Sequence, residues 1–187
     1  KLAILAEKWT HSRRGLCVLS HTNVARQEIE KKLAGTAAGE RLLAYPHFVG
    51  TIHGFVNEFL ALPLLRSEGR FVRLIDDEAC GEFCCRQLHS VGKYATARIF
   101  LANKERNTPD RTIRALRYEG EDLSLGCAAG ELPCKVGAAS FEILKQIKES
   151  ASARGLWRFD DMFAWAGRTL SKHPGAAEFA RWRFPAV

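Results

Sequence analysis

The chain has 187 residues, 47% hydrophobic and 26% charged, the balance of a globular protein and not of a disordered, collagenous or mucin-like one. Lys and Arg number 28 against 21 Asp and Glu, and the resulting +7 favours anionic partners, nucleic acid above all, unless it is spread over a solvated surface. The longest apolar run, Phe59 to Leu65, contains Pro63 and falls well short of the roughly 20 residues a membrane-spanning helix needs, so no membrane partner is expected.

Lys1 to Trp9 begins with a basic residue, but the apolar stretch is short and no small-residue cleavage site follows, which argues against a secretory signal. The first residue is not Met, so the chain reads as a piece of a longer protein. Leu2, Leu5, Ala6 and Trp9 recur at helical spacing. Leu16-Cys17-Val18-Leu19 reads as a buried parallel strand between two helical patterns. Ser20-His21-Thr22-Asn23 is rich in capping residues and opens a helix with Ala25, Ile29 and Leu33 on one face and Gly35 at its end. Gly35 to Pro46 reads as a flexible segment. Phe48 to Ile52 reads as a second strand, followed by His53-Gly54 and a helical face of Phe55, Val56, Phe59 and Leu60 that stops at Pro63. The order helix, strand, helix, strand, helix predicts an α/β layer.

The pattern changes after about residue 66. Phe71 to Ile75 is extended, and Asp76 caps a helix over Asp77 to Leu88. Short helices are expected around Thr96 to Asn103 and Thr112 to Leu116, a glycine-rich surface loop over Gly120 to Gly137, and a stronger helix on Phe141, Leu144, Ile147, Lys148 and Ala151, ended by Gly155. Asp160 is expected to cap a helix with Phe163, Ala166 and Leu170 on one face, stopped by His173-Pro174-Gly175. A short helix through Phe179 and Trp182 leads to Phe184-Pro185-Ala186-Val187, the opening of a third strand. The expected organisation is an α/β part over 1–65, a mostly helical insertion over 66–155, and a return to the first part over 156–187.

The cysteines are Cys17, Cys80, Cys84, Cys85, Cys127 and Cys134, and no pair has the two-residue gap of a zinc knuckle or redox dithiol. Cys80 and Cys84 share a helix face and could offer two metal ligands, but no partner lies at motif spacing. The expectation is buried, reduced thiols in a cytoplasmic protein, with no metal site.

No Gly-rich phosphate loop with Lys and Ser/Thr, nucleophile elbow or His-Glu-x-x-His helix occurs, so no catalytic residue is assigned. Two strand ends carry the candidate chemistry instead: Val18-Leu19-Ser20-His21-Thr22-Asn23-Val24-Ala25 and Val49-Gly50-Thr51-Ile52-His53-Gly54-Phe55. Ligands of parallel α/β sheets gather at such carboxyl ends, where helix N-termini present free N–H groups to phosphate. His21 suits stacking on a base, and His53 suits donation to phosphate. The alternative is that Thr22, Asn23 and Thr51 only cap helices and the histidines sit in polar loops.

These segments resemble UvrD/Rep-type superfamily 1 DNA helicases. Val18 through Ile29 is similar to motif Ia, Phe48 through Phe55 to the following Gly-Thr-Phe-His motif with Ile52 in the Phe place, and Gly155-Leu156-Trp157-Arg158-Phe159-Asp160-Asp161-Met162 to the Gly-Leu-x-Asp-Phe-x-(Asp/Glu)-Leu segment. The likeness is in order and register over nearly the whole chain. It implies part of a RecA-like parallel sheet of the P-loop NTPase type, with a helical inserted subdomain, starting after Walker A and stopping before Walker B.

The implied function is that of an ATP-dependent DNA helicase acting in processes such as DNA repair, which translocates on single-stranded DNA and unwinds duplex. ATP and Mg²⁺ would serve the full-length protein, none is expected in this fragment, and the fragment alone should be inactive. Partners would be single-stranded and forked DNA and the second RecA-like lobe. The resemblance assigns DNA contacts to His21, Thr22, Asn23, Thr51, His53 and Gly54; the family often has Phe where His21 stands and Lys where Val24 stands. Arg98, Lys104, Arg106, Arg111, Arg114 and Arg117 would form a basic cluster on short helices, with Arg111, Arg114 and Arg117 as possible duplex contacts. The alternatives are a non-catalytic nucleic-acid- or protein-binding module with a decayed helicase core, and a helicase fused to a nuclease.

Overall fold

The computed structural model describes residues 2–108 and 110–186. The protein is α/β and mostly helical, with three two-stranded sheets among the described residues. It divides into two compact units, one of residues 1–60 with 169–187 and one of residues 61–168. The sequence places the return to the first part at 156, whereas the second unit runs on to Arg168.

In the first unit, α1 (Leu2–Glu7) precedes β1 (Cys17–Ser20), α2 (Asn23–Leu33), α3 (Ala37–Leu43), β2 (Phe48–Thr51) and α4 (Ile52–Val56). β1 and β2 pair in parallel with Cys17 opposite Phe48 and Ser20 opposite Thr51. Ala6, Leu16, Leu33 and Leu42 form the core between helices and sheet, with Val18, Ile29 and Val49 packed against it. His47 ties the start of β1 to the chain entering β2, because its Nδ1 accepts from Leu16 N at 3.0 Å. Burial and the Arg183 cation both lower its pKa, which keeps the ring in this accepting form.

Three expectations for this unit are corrected. The second strand ends at Thr51, whose side chain caps α4, so Ile52, His53 and Gly54 lie in the first turn of that helix and not in a strand end or loop. Gly35 to Pro46 is not a flexible segment but contains α3. Thr36 caps it by accepting from Gly39 N at 3.1 Å, and Leu42 is fully buried, so a single anchored turn outweighs the weak local pattern. Nor does Pro63 stop the helix after β2. A π-helical turn over Asn57–Ala61 follows α4, and α5 (Leu62–Ser67) begins with Pro63 in its first turn, where a missing N–H costs least. At the other end, α11 (Gly175–Arg183) leads to Ala186, which makes a single parallel bridge with Leu16, just before β1. Val187, also assigned to that strand by the sequence, lies outside the described residues, as does Lys1.

In the second unit, β3 (Leu74–Ile75) precedes α6 (Asp77–Ser90), which Asp76 caps by accepting from Ala79 N at 2.7 Å. α7 (Ala95–Lys104), α8 (Arg111–Arg114) and α9 (Ala139–Ala153) pack with α6 around Cys80, Cys84, Leu88, Ala97, Ile113, Leu144 and Ile147. β6 (Leu156–Trp157) pairs in parallel with β3 and leads into α10 (Phe159–Lys172). Met162 and Trp165 of α10 pack with Ala61, Leu64, Leu65 and Trp157, which is why the helix belongs to this unit as far as Arg168.

The expected loop over Gly120 to Gly137 is also corrected. β4 (Leu116–Glu119) and β5 (Ser124–Cys127) form an antiparallel hairpin. Gly120 (φ 66°) and Leu123 (φ 58°) turn the chain between them, and Leu116, expected at a helix end, starts β4 instead. Asp160 is not the cap of α10 but lies inside its first turn. The capping carboxylate is Asp161, whose Oδ2 accepts from Arg158 N at 2.8 Å, the reach of an N3 acid back to its N-cap.

Candidate nucleic-acid interface

Side-by-side pairing of Ser20 and Thr51 puts the carboxyl ends of β1 and β2 on one edge of the sheet. Each strand runs directly into a helix with a threonine N-cap. Thr22 Oγ1 accepts from Ala25 N at 3.1 Å, and Thr51 Oγ1 accepts from Gly54 N at 3.0 Å. Each hydroxyl thus satisfies the third amide of its helix, while the two amides before it have no intrahelical acceptor by helix geometry. Two positive helix ends lie together there, the arrangement that suits a chain of phosphates.

The two loops differ in exposure. His21, Thr22 and Asn23 are exposed, whereas Thr51, His53 and Gly54 are half-buried. An exposed imidazole at 21 is free to lie against a flat ring, while the second junction presents the Thr51 hydroxyl and the first turn of α4, which holds His53 and Gly54. Gly54 has a spatial reason to be glycine: a Cβ there would stand 3.2 Å from Thr51 Oγ1 and press on the capping hydroxyl. Under the second loop, the Phe48 ring packs edge-on against Phe55, Phe59 and Phe184 with centroids 5.8, 5.3 and 6.3 Å away. Gly50 leaves room for that ring, since a Cβ would meet Phe48 Cζ at 2.5 Å.

Two further residues belong to this edge, Ser20, which the sequence places in the candidate segment without a role of its own, and Asn57. Ser20 is buried, and its Oγ lies 3.1 Å from Thr22 O and 3.3 Å from Gly50 O, a hydroxyl that joins the two loops. Its place at a strand end beside two threonines was the available signal. Asn57 opens the π-helical turn one helical turn beyond His53, and its Oδ1 is buried without a hydrogen-bond partner. A π turn has no sequence pattern, so nothing pointed to it; such turns concentrate at functional sites. Most of the chain's positive surplus belongs to the unit that carries these loops.

No protein-family model matches the chain, and no curated protein matches it.

The second set of candidate residues belongs to the other unit, and the structure separates its members. Arg98 and Lys104 lie on α7, and Arg111 and Arg114 on α8, but Arg117 is on β4 and not on a short helix. Arg111 and Arg114 are exposed, and their spacing puts them on one face. Arg98 donates to His89 O at 3.0 Å and Arg111 to Ala129 O at 2.5 Å, so both are partly engaged. Arg117 is engaged much further: it pairs with Glu119 at 2.7 Å and Asp160 at 2.8 Å, which cancel its charge and hold its pKa above the usual value. A phosphate approaching Arg117 would meet two carboxylates.

Proposed function

We propose that this chain is part of an ATP-dependent DNA helicase of the UvrD/Rep type, and that it holds single-stranded DNA across the carboxyl ends of β1 and β2. The observation that carries the reading is the Ser20–Thr51 register, which sets two capped helix starts beside each other. The single parallel bridge between Ala186 and Leu16 agrees with that reading, since it brings the chain after α11 beside the start of β1. In this reading His21 stacks on a base, and Thr22, Asn23 and Thr51 give neutral hydrogen bonds to the backbone. His53 donates to phosphate, and Gly54 lets the strand approach. Ser20 holds the loops in register without touching DNA.

ATP and Mg²⁺ belong to the full-length protein in this proposal. The chain carries no Gly-rich loop with Lys and Ser/Thr, so none of its residues is assigned to them. Its own work is to bind the strand that the motor moves.

The test uses the full-length protein. His53→Ala is expected to lower DNA-stimulated ATP turnover more than basal turnover. Equal loss of both would assign His53 to folding. A full-length protein with no DNA-stimulated turnover at all would leave a non-catalytic binding module in place of the motor.

A further inference from the structure

In the second unit, three side chains of different chemistry converge beside α6. Cys85 and His89 lie four residues apart on that helix and so share a face. Asp110 comes from the start of α8, which packs on α6, and holds a left-handed backbone (φ 62°), a conformation Asp tolerates better than most residues. One ligand atom from each lies within 4.8 Å of the others. His89 Nε2 donates to Asp110 Oδ1 at 2.8 Å.

We propose that Cys85, His89 and Asp110 bind a zinc ion through Sγ, Nε2 and a carboxylate oxygen, with the fourth position open to solvent. Thiolate, imidazole and carboxylate together are a zinc donor set, and bonds of about 2.0–2.3 Å place tetrahedral ligand atoms about 3.3–3.8 Å apart. The three atoms lie within 4.8 Å of one another, and an ion takes the place of the 2.8 Å His89–Asp110 hydrogen bond. Access is not blocked: Cys85 forms the buried floor, while the His89 and Asp110 side chains are 49% and 27% exposed.

Neighbouring groups define the site's selectivity within the chain. Cys80, on another face of α6, lies 3.7 Å from Lys148 Nζ, a cation that opposes a metal there. Arg114 reaches the Cys85 thiol from α8, and burial followed by the Asp110 hydrogen bond pushes that thiol up. The ion displaces the thiol proton and competes with Arg114 for the same sulfur.

The probe is Co²⁺ added to the full-length protein, followed by displacement with Zn²⁺. A thiolate-to-cobalt charge-transfer band and tetrahedral ligand-field bands are expected. Cys85→Ser should abolish the charge-transfer band. His89→Ala and Asp110→Asn should each weaken binding by more than about tenfold. Arg114→Ala should tighten it, and Cys80→Ser and Cys134→Ser should leave it unchanged. His89→Ala alters an exposed side chain, so it decides the question if Cys85→Ser fails to fold. Absence of the band, its survival in Cys85→Ser, or unaltered affinity in His89→Ala would overturn the site.

Discussion

Lys148 and Asp161 are both fully buried and meet at 2.5 Å from Nζ to Oδ2. Asp161 also accepts from Tyr118 N and Arg158 N, each at 2.8 Å, so its carboxylate is surrounded by donors. Burial alone would lower the Lys148 pKa, but the Asp161 carboxylate outweighs it and the net direction is up. Removing one partner leaves the other charge buried alone. Asp161→Asn is therefore expected to cost about 3–5 kcal/mol in urea unfolding of the chain. The sign with pH follows from the raised value. The stabilisation from Lys148 is complete below its unfolded pKa of about 10.4 and is lost as pH rises through the higher folded value. Alkaline titration of stability should show this loss in the wild-type chain and not in Lys148→Met. The sequence does not pair these two residues: it places Lys148 on a helical face and Asp161 within a motif. Which carboxylate faces a buried lysine depends on how α9 and α10 are placed, not on local pattern.

At the scale of elements, the sequence reading succeeds where a cap and a periodic face coincide. α6 has Asp76 at its N-cap and Cys80, Cys84 and Leu88 along its buried side, and both cues were visible. It fails where a tertiary contact supplies the order, as at α3, held by Leu42, and at the β4–β5 hairpin, whose glycines suggested only a loop. The hairpin bears on the proposed function because it sets Arg117 beside Glu119 of the same strand, where Asp160 of α10 also reaches it. If α8 touches duplex DNA, Arg111 and Arg114 carry the contact. The double substitution Arg111→Gln/Arg114→Gln is expected to reduce the slope of log affinity against log salt by up to about 2 for forked DNA. Adding Arg117→Gln should change it no further. The measurement is binding of the full-length protein over a salt series, and a further drop with Arg117→Gln would return that residue to the contact surface.

For the molecule as a whole, a net +7 concentrated in the unit with the paired strand ends makes binding of single strands electrostatic in the proposed function. The isolated chain should bind single-stranded DNA with a log–log salt slope of about −0.7 for each phosphate engaged and should turn over no ATP. Salt-independent binding, or none at low salt, would remove the strand ends as a DNA site. The α/β class and the order of strands and helices around the two junctions follow from sequence alone, because capping and short apolar runs act over a few residues; that the second helix begins at Ile52, directly after Thr51, does not. That the two junctions share one sheet edge, that Ser20 joins them, and that Cys85, His89 and Asp110 converge were decided only by tertiary structure. Strand register and helix packing are set by contacts between residues far apart in the chain, and a linear pattern does not encode distance across the fold.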